Sequence, residues 1–234
     1  MVIFVHIIHF NSFATMNLID NIKHQGKRKK LIQELKDMGI ESSAVLNALL
    51  KVPRHYFLDS SFEGFAYQNK AFPIGNEQTL SHPYTVAFQS EILNIKKGDK
   101  ILEIGTGSGY QTCVLFHLGA NVYSIERQHS LFDKAKLTLS KMRVKANLHY
   151  GDGYNGLPDK APFDKIIVTA GAPKIPEKLF KQLTIGGTMI IPIGIENQIM
   201  TLVIKTSKNE WKKIEFDNFR DRHFQFVPML KNKQ

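Results

Sequence analysis

The chain has 234 residues, 43% of them hydrophobic and 10% aromatic, with a formal net charge of +10. Those totals exclude a disordered chain and fit one large domain. The single cysteine, Cys113, excludes a disulfide framework and a cysteine-based zinc site, and suits a reducing cytoplasm.

The first ten residues, "MVIFVHIIHF", are apolar but too short to span a bilayer. No Lys or Arg precedes them, which argues against a secretory signal. Met16 reads as the natural start, with residues 1–15 a non-native or loosely docked leader, and no membrane association is expected. Residues 27–38 and 42–52 carry helical periodicity, the second capped by Ser42 or Ser43 and stopped at Pro53. The basic run "KRKK", Lys27 to Lys30, reads as a solvated helix end rather than a nucleic-acid patch. Residues 59–80 look irregular. A helix then begins at Pro83, with Tyr84, Phe88, Ile92 and Ile95 at helical spacing.

From Lys100 the pattern becomes alternating strand and helix. "KILEI", "NVYSIE", "NLHYGD", "FDKIIVTAG" and "GTMIIPIG" read as strands, with helices between most of them. "IMTLVIKT" and "WKKIEFDNF" read as a terminal hairpin across "SKNE". The fold class is therefore α/β: a doubly wound, mostly parallel, Rossmann-like sheet with an N-terminal helical cap. One domain is expected. Residues 27–80 would form the cap and active-site loop, 98–206 the cofactor core, and 207–234 a terminal strand and tail.

"LEIGTGSGY" carries the strongest chemistry. Gly105, Gly107 and Gly109 lie between a strand and a helix, where glycine allows a sharp turn and close approach to a ligand. Glu126 closes the next strand, about 20 residues on, where an acid can bind both hydroxyls of an adenosine ribose. The spacing is Gly-x-Gly-x-Gly rather than the dinucleotide form. Glu103 stands two residues before the first glycine, where an acid can bind an ammonium but would repel a pyrophosphate. Both details favour S-adenosylmethionine over NAD. Asp152, with Gly153 beside it in "YGDGYNG", is placed to receive an adenine amino group.

"VPRHYF", "PIGNEQTLSHPYTVAF", "ILEIGTGSGYQT", "GDGYNG", "APFDKIIVTAGAP" and "FVPML" together resemble the protein-L-isoaspartate O-methyltransferases, from about Gly26 to Leu230. The resemblance implies a seven-strand sheet with a changed order of its last two strands. It implies methyl transfer from S-adenosylmethionine to the free α-carboxylate of isoaspartyl residues in damaged proteins and peptides. It makes Ser81 the active-site serine and lines the cofactor with Gln78, Thr79, Leu80 and Ser81. A carboxylate acceptor is already ionised at neutral pH, so no general base is needed. Ser81 is then a hydrogen-bond donor that orients the acceptor, not a nucleophile, and His82 is incidental. A cytoplasmic monomer, with no nucleic-acid partner and no metal, is the accompanying expectation.

Three positions depart from the family's pattern. Glu77 stands where glycine is usual, and costs on the order of 1 kcal/mol if its φ is positive. Val86 replaces a histidine of some relatives, and Tyr154 an arginine. Two rival activities share the cofactor residues. One is an aspartate O-methyltransferase of a dedicated peptide. The other is a nucleic-acid methyltransferase, against which "TAGAP" lacks an Asn/Asp-Pro-Pro-aromatic motif and Cys113 follows threonine rather than proline.

Overall fold

The computed structural model describes residues 19–216 and 226–230. The expected leader and much of the expected tail lie outside the described residues. Helix α1 spans Ile22–Asp37 and α2 spans Ser43–Lys51. Helix α1 starts earlier than periodicity suggests, because Asn21 caps it by accepting from the His24 N–H. Its buried face is His24, Arg28, Leu31 and Leu35. The two leucines alone show as an apolar stripe, so the polar half of that face was invisible to hydrophobic periodicity. The basic run therefore lies inside a helix, not at its end. Arg28 is buried and Lys27 donates to the Gly64 carbonyl (2.8 Å), while Lys29 and Lys30 are exposed. Ser42 caps α2 through the Val45 N–H.

Between the cap and the sheet, the stretch expected to be irregular contains an antiparallel hairpin. Strand β1 is Phe72–Gly75 and β2 is Gln78–Leu80, with Phe72 opposite Leu80 and Gly75 opposite Gln78. Its strands are too short, and too interrupted by Pro73, to show alternation. The two-residue turn, Asn76 and Glu77, has φ of 49° and 57°. Both values are positive, as a tight hairpin turn of this length demands. Glu77 therefore bears the strain its departure from glycine implied. It is exposed at the hairpin tip. Replacing Glu77 with glycine should raise stability by about 1 kcal/mol, read as a higher urea midpoint at unchanged slope. An unchanged or lower midpoint would show the turn to be unstrained.

Helix α3, Pro83–Ile92, carries proline in its first turn and is buried over Pro83 to Ser90. The core sheet follows: β3 Lys100–Ile104, α4 Tyr110–His117, β4 Asn121–Glu126, α5 His129–Lys141, β5 Asn147–Tyr150, β6 Phe163–Val168, α6 Glu177–Lys181, β7 Leu183–Ile193, β8 Ile199–Lys205 and β9 Trp211–Phe216. The strand order is β5-β4-β3-β6-β7-β8-β9. Strands β3 to β7 are parallel, and β8 pairs antiparallel with both β7 and β9. The hairpin thus adds its two strands in chain order at the edge. Fully buried strands such as Ile101, Leu102, Ile166 and Ile167 read as unbroken apolar runs because helices cover both faces. Leu31, Leu35, Leu46 and Leu49 of the cap belong to the same apolar cluster as Ile101, Val122 and Ile190 of the sheet. Each such leucine contributes about 1.5–3 kcal/mol by leaving water. Among the described residues, no helix is long and apolar enough to cross a membrane.

Candidate active site

In a doubly wound sheet, ligands bind beyond the carboxyl ends of the strands, where the order reverses. Here β3 is that point, flanked by β4 and β6. A cleft opens there. It is lined by the loop after β3, by Glu126 to Gln128 after β4, by Gln78 to Ser81, and by Val227 to Leu230.

The glycine loop takes the conformation only glycine holds easily. Gly105 and Gly107 have φ of 94° and 55°. A Cβ on Gly105 would stand 2.5 Å from Thr169 Oγ1. That hydroxyl donates within reach of the Ile104 and Gly105 carbonyls (2.9 and 2.8 Å), so β6 fixes the loop from below. From β4, Glu126 sends Oε2 to the Gly107 N–H (2.7 Å) and Oε1 to the Gln128 N–H (2.8 Å). Each oxygen keeps a second lone pair for another donor.

Ser81 is partly exposed on the cleft wall. Its carbonyl accepts from Nη2 of Arg54 (2.8 Å), which also reaches the Lys70 carbonyl (3.1 Å). Arg54 is wholly buried and stacks over Tyr110, 4.8 Å from guanidinium carbon to ring centroid. Burial pulls its pKa down to about 10, so it remains a cation at neutral pH. An arginine in "VPRHYF" thus pins the serine loop from behind, a role the sequence reading did not assign. His82 is exposed and Glu77 sits on the hairpin tip; neither lines the cleft with Ser81.

Of the residues singled out in the sequence, Gln78, Thr79, Leu80, Ser81, Gly105, Gly107, Glu126 and Gly153 line the cleft. Three do not. Gly109 caps α4 at φ 90°, packed on Leu139. Asp152 accepts from the Tyr154 N–H (2.9 Å) and starts a short turn. Glu103 is fully buried beneath the loop, where Oε2 accepts from the Thr112 hydroxyl (2.5 Å) and Oε1 has no hydrogen-bond partner among the described residues. Burial raises its pKa to about 7, against the opposing hydrogen bonds of Ser124 and Thr112.

Other lining residues were not foreseen. Gln111 donates to the Ser90 hydroxyl (3.0 Å) and lines the cleft, while its buried Oε1 has no donor among the described residues. Val227 and Met229 join the wall because Gly171 binds both, through the Val227 carbonyl (2.8 Å) and the Met229 N–H (2.7 Å). Tyr154, in the place of the family's arginine, donates to the Met229 carbonyl (3.2 Å) and steadies the same segment. Val86, in the place of a histidine, is a buried apolar wall residue.

These features fit an adenosyl sulfonium. Glu126 presents carboxylate oxygens with further lone pairs to the cleft, the loop has no Cβ to block approach, and Gln111 adds a buried oxygen acceptor to the wall. The family comparison decides the matter. A model of the protein-L-isoaspartate(D-aspartate) O-methyltransferases matches residues 26–234. The chain belongs to that family. It is 56% identical over 215 residues to a protein-L-isoaspartate O-methyltransferase of Flavobacterium psychrophilum, covering 92% of this chain and 99% of the relative. A namesake from Salinibacter ruber is 41% identical over 90% of this chain and 94% of its own length. A solved protein-L-isoaspartate O-methyltransferase superposes with a TM-score of 0.79 at 29% identity, over 88% of this chain and 66% of that longer one. A Plasmodium falciparum structure, described as a complex with S-adenosyl-L-homocysteine, shares the fold at TM-score 0.76 and 24% identity, over 88% and 99%.

Proposed function

We propose that this isoaspartate methyltransferase works by holding an ionised carboxylate in line with a sulfonium in the cleft, with Ser81 as the orienting donor. The protein is a repair enzyme that methylates the free α-carboxylate of L-isoaspartyl residues in damaged proteins and peptides. S-adenosylmethionine supplies an electrophilic methyl group on a positively charged sulfur. Glu126 would hold the ribose hydroxyls through the lone pairs its carboxylate keeps for the cleft. Gly153, in the cleft wall, would meet the adenine side, with Asp152 shaping the turn that holds it there. Gln111 Oε1 takes the ammonium contact, because Glu103 stands behind the wall and acts instead on the field beneath it.

The acceptor carboxylate arrives as an anion, so no residue has to remove a proton. Catalysis rests on alignment and on the exclusion of water that would otherwise solvate the anion. The Ser81 hydroxyl donates to one acceptor oxygen and leaves the other free to attack. Arg54 fixes the Ser81 backbone, and α3 begins just beyond it with its positive N-terminal end. The observation that carries this reading is the placement of Ser81 and Glu126 in the walls of one cleft.

The deciding assay is labelled methyl transfer to an isoaspartyl peptide and its normal aspartyl twin. The isoaspartyl peptide should be labelled and the twin left blank; equal labelling of both, or of neither, would sink the assignment. Ser81→Ala should lower transfer while keeping S-adenosylhomocysteine affinity within about tenfold. Normal transfer at saturation with collapsed cofactor binding would overturn the role given to Ser81.

A further inference from the structure

The polar half of the α1 face belongs to no part of the methyl-transfer site. His24 on α1 and His55, in the short turn after α2, lie face to face with ring centroids 3.9 Å apart. Both are buried, at 7% and 8% exposure. Each points one ring nitrogen at the same atom: His24 Nδ1 and His55 Nε2 stand 3.2 Å from the Ile19 carbonyl oxygen. The Asp20 carboxylate completes the group, with the ligand atoms of Asp20, His24 and His55 all within 4.8 Å of one another.

The outer nitrogens are oriented as well. His24 Nε2 meets Glu63 Oε1 at 3.0 Å, and His55 Nδ1 meets the Tyr67 hydroxyl at 2.7 Å. Such outer partners are what fix ligand imidazoles in metal centres. Arg28 grips both oxygens of Asp20 (3.0 and 2.8 Å) and leaves each a further lone pair. Asp20 and Glu63 thus bring two carboxylates to the group against the one guanidinium of Arg28.

We propose that Ile19, Asp20, His24 and His55 form a binding site for one borderline divalent cation of the zinc class, distinct from the methyl-transfer cleft. Two imidazoles with a carboxylate and a carbonyl suit zinc, nickel or cobalt; magnesium and calcium require oxygen ligands throughout. The 3.2 Å separations match the roughly 3.3 Å edge of a tetrahedron whose ligands lie about 2.0–2.1 Å from the metal. The rings open slightly around the ion, and the partly exposed Asp20 side chain marks the way in. The ion ties the segment before α1 to the turn that also carries Arg54. It therefore braces the cap behind the Ser81 loop without touching substrate.

The test is titration of the full-length protein with zinc chloride, read by calorimetry, together with the visible absorption of added cobalt(II). One equivalent should bind, with the intense band of four-coordinate cobalt and a rise in Tm. His24→Gln and His55→Gln should each weaken zinc at least tenfold, and Glu63→Gln, which spares the ligands, about tenfold. His117→Gln, remote from the cluster, should leave affinity unchanged. Should either histidine variant fail to fold, Asp20→Asn carries the same expectation. Zinc affinity indifferent to these changes, or cobalt with the weak spectrum of its hydrated ion, would overturn the proposal.

Discussion

Glu126→Ala should weaken S-adenosylhomocysteine binding about 100-fold. The Glu126 carboxylate does two things at once. It presents acceptors to the cleft, and it holds the Gly107 and Gln128 N–H groups at 2.7 and 2.8 Å. A hydrogen bond to a charged group contributes about 1.5–3 kcal/mol. Loss of the proposed ribose contacts together with the loop anchor would amount to about 3 kcal/mol, or two powers of ten in Kd. Glu126→Gln should fall between, since one acceptor oxygen survives. Calorimetric titration of the folded variants gives the answer, and a Kd within threefold of the wild type would remove Glu126 from the cofactor site.

Stability should fall as pH rises from about 4.5 to 7, and Glu103→Gln should abolish that part of the fall. Burial is the main cause of the raised Glu103 pKa, and the nearby Glu126 carboxylate adds to it. Below about pH 4.5 the side chain is protonated whether the chain is folded or not, and it costs nothing. Between its ordinary value of 4.5 and its folded value of about 7, the unfolded chain releases the proton while the folded chain keeps it. The folded state is then progressively disfavoured, and above pH 7 the cost is constant at about 3 kcal/mol. Urea unfolding of both proteins at pH 4.5 and pH 8 isolates the effect. The variant should gain on the wild type by about that amount between the two pH values. A gain that does not change with pH would mean that Glu103 ionises freely in the folded protein.

Much of this could be read along the chain, for identifiable reasons. Strands β3, β6 and β8 are largely buried, so they stand out as apolar blocks between polar turns. The glycine loop and Glu126 stand out because few other needs place such residues at those points. What stayed hidden depended on contacts between distant segments. Strands β1 and β2 are short, and their turn uses Asn76 and Glu77 where glycine would have announced it. Gln111 is an ordinary helix residue until Ser90 turns its amide and leaves Oε1 toward the cleft. Glu103 sits at the expected point of the motif, yet its alternation along β3 takes it below the loop rather than into the opening. The polar side of α1 reads as a gap in periodicity. His24, Arg28, His55 and Tyr67 become a cluster only once the cap has closed.

The last wall of the cleft comes from Val227 to Leu230, held by Gly171, while the opposite wall is made by Gln78 to Ser81. Chains emerge from synthesis N-terminal end first, and domains fold largely as units. A nascent or truncated chain lacking the segment beyond β9 would carry its glycine loop, Glu126 and Ser81 yet have no complete pocket for them. A few residues at the far end of the chain thus complete a pocket whose other walls are set some hundred residues earlier, so the cleft closes only when both ends of the fold have met.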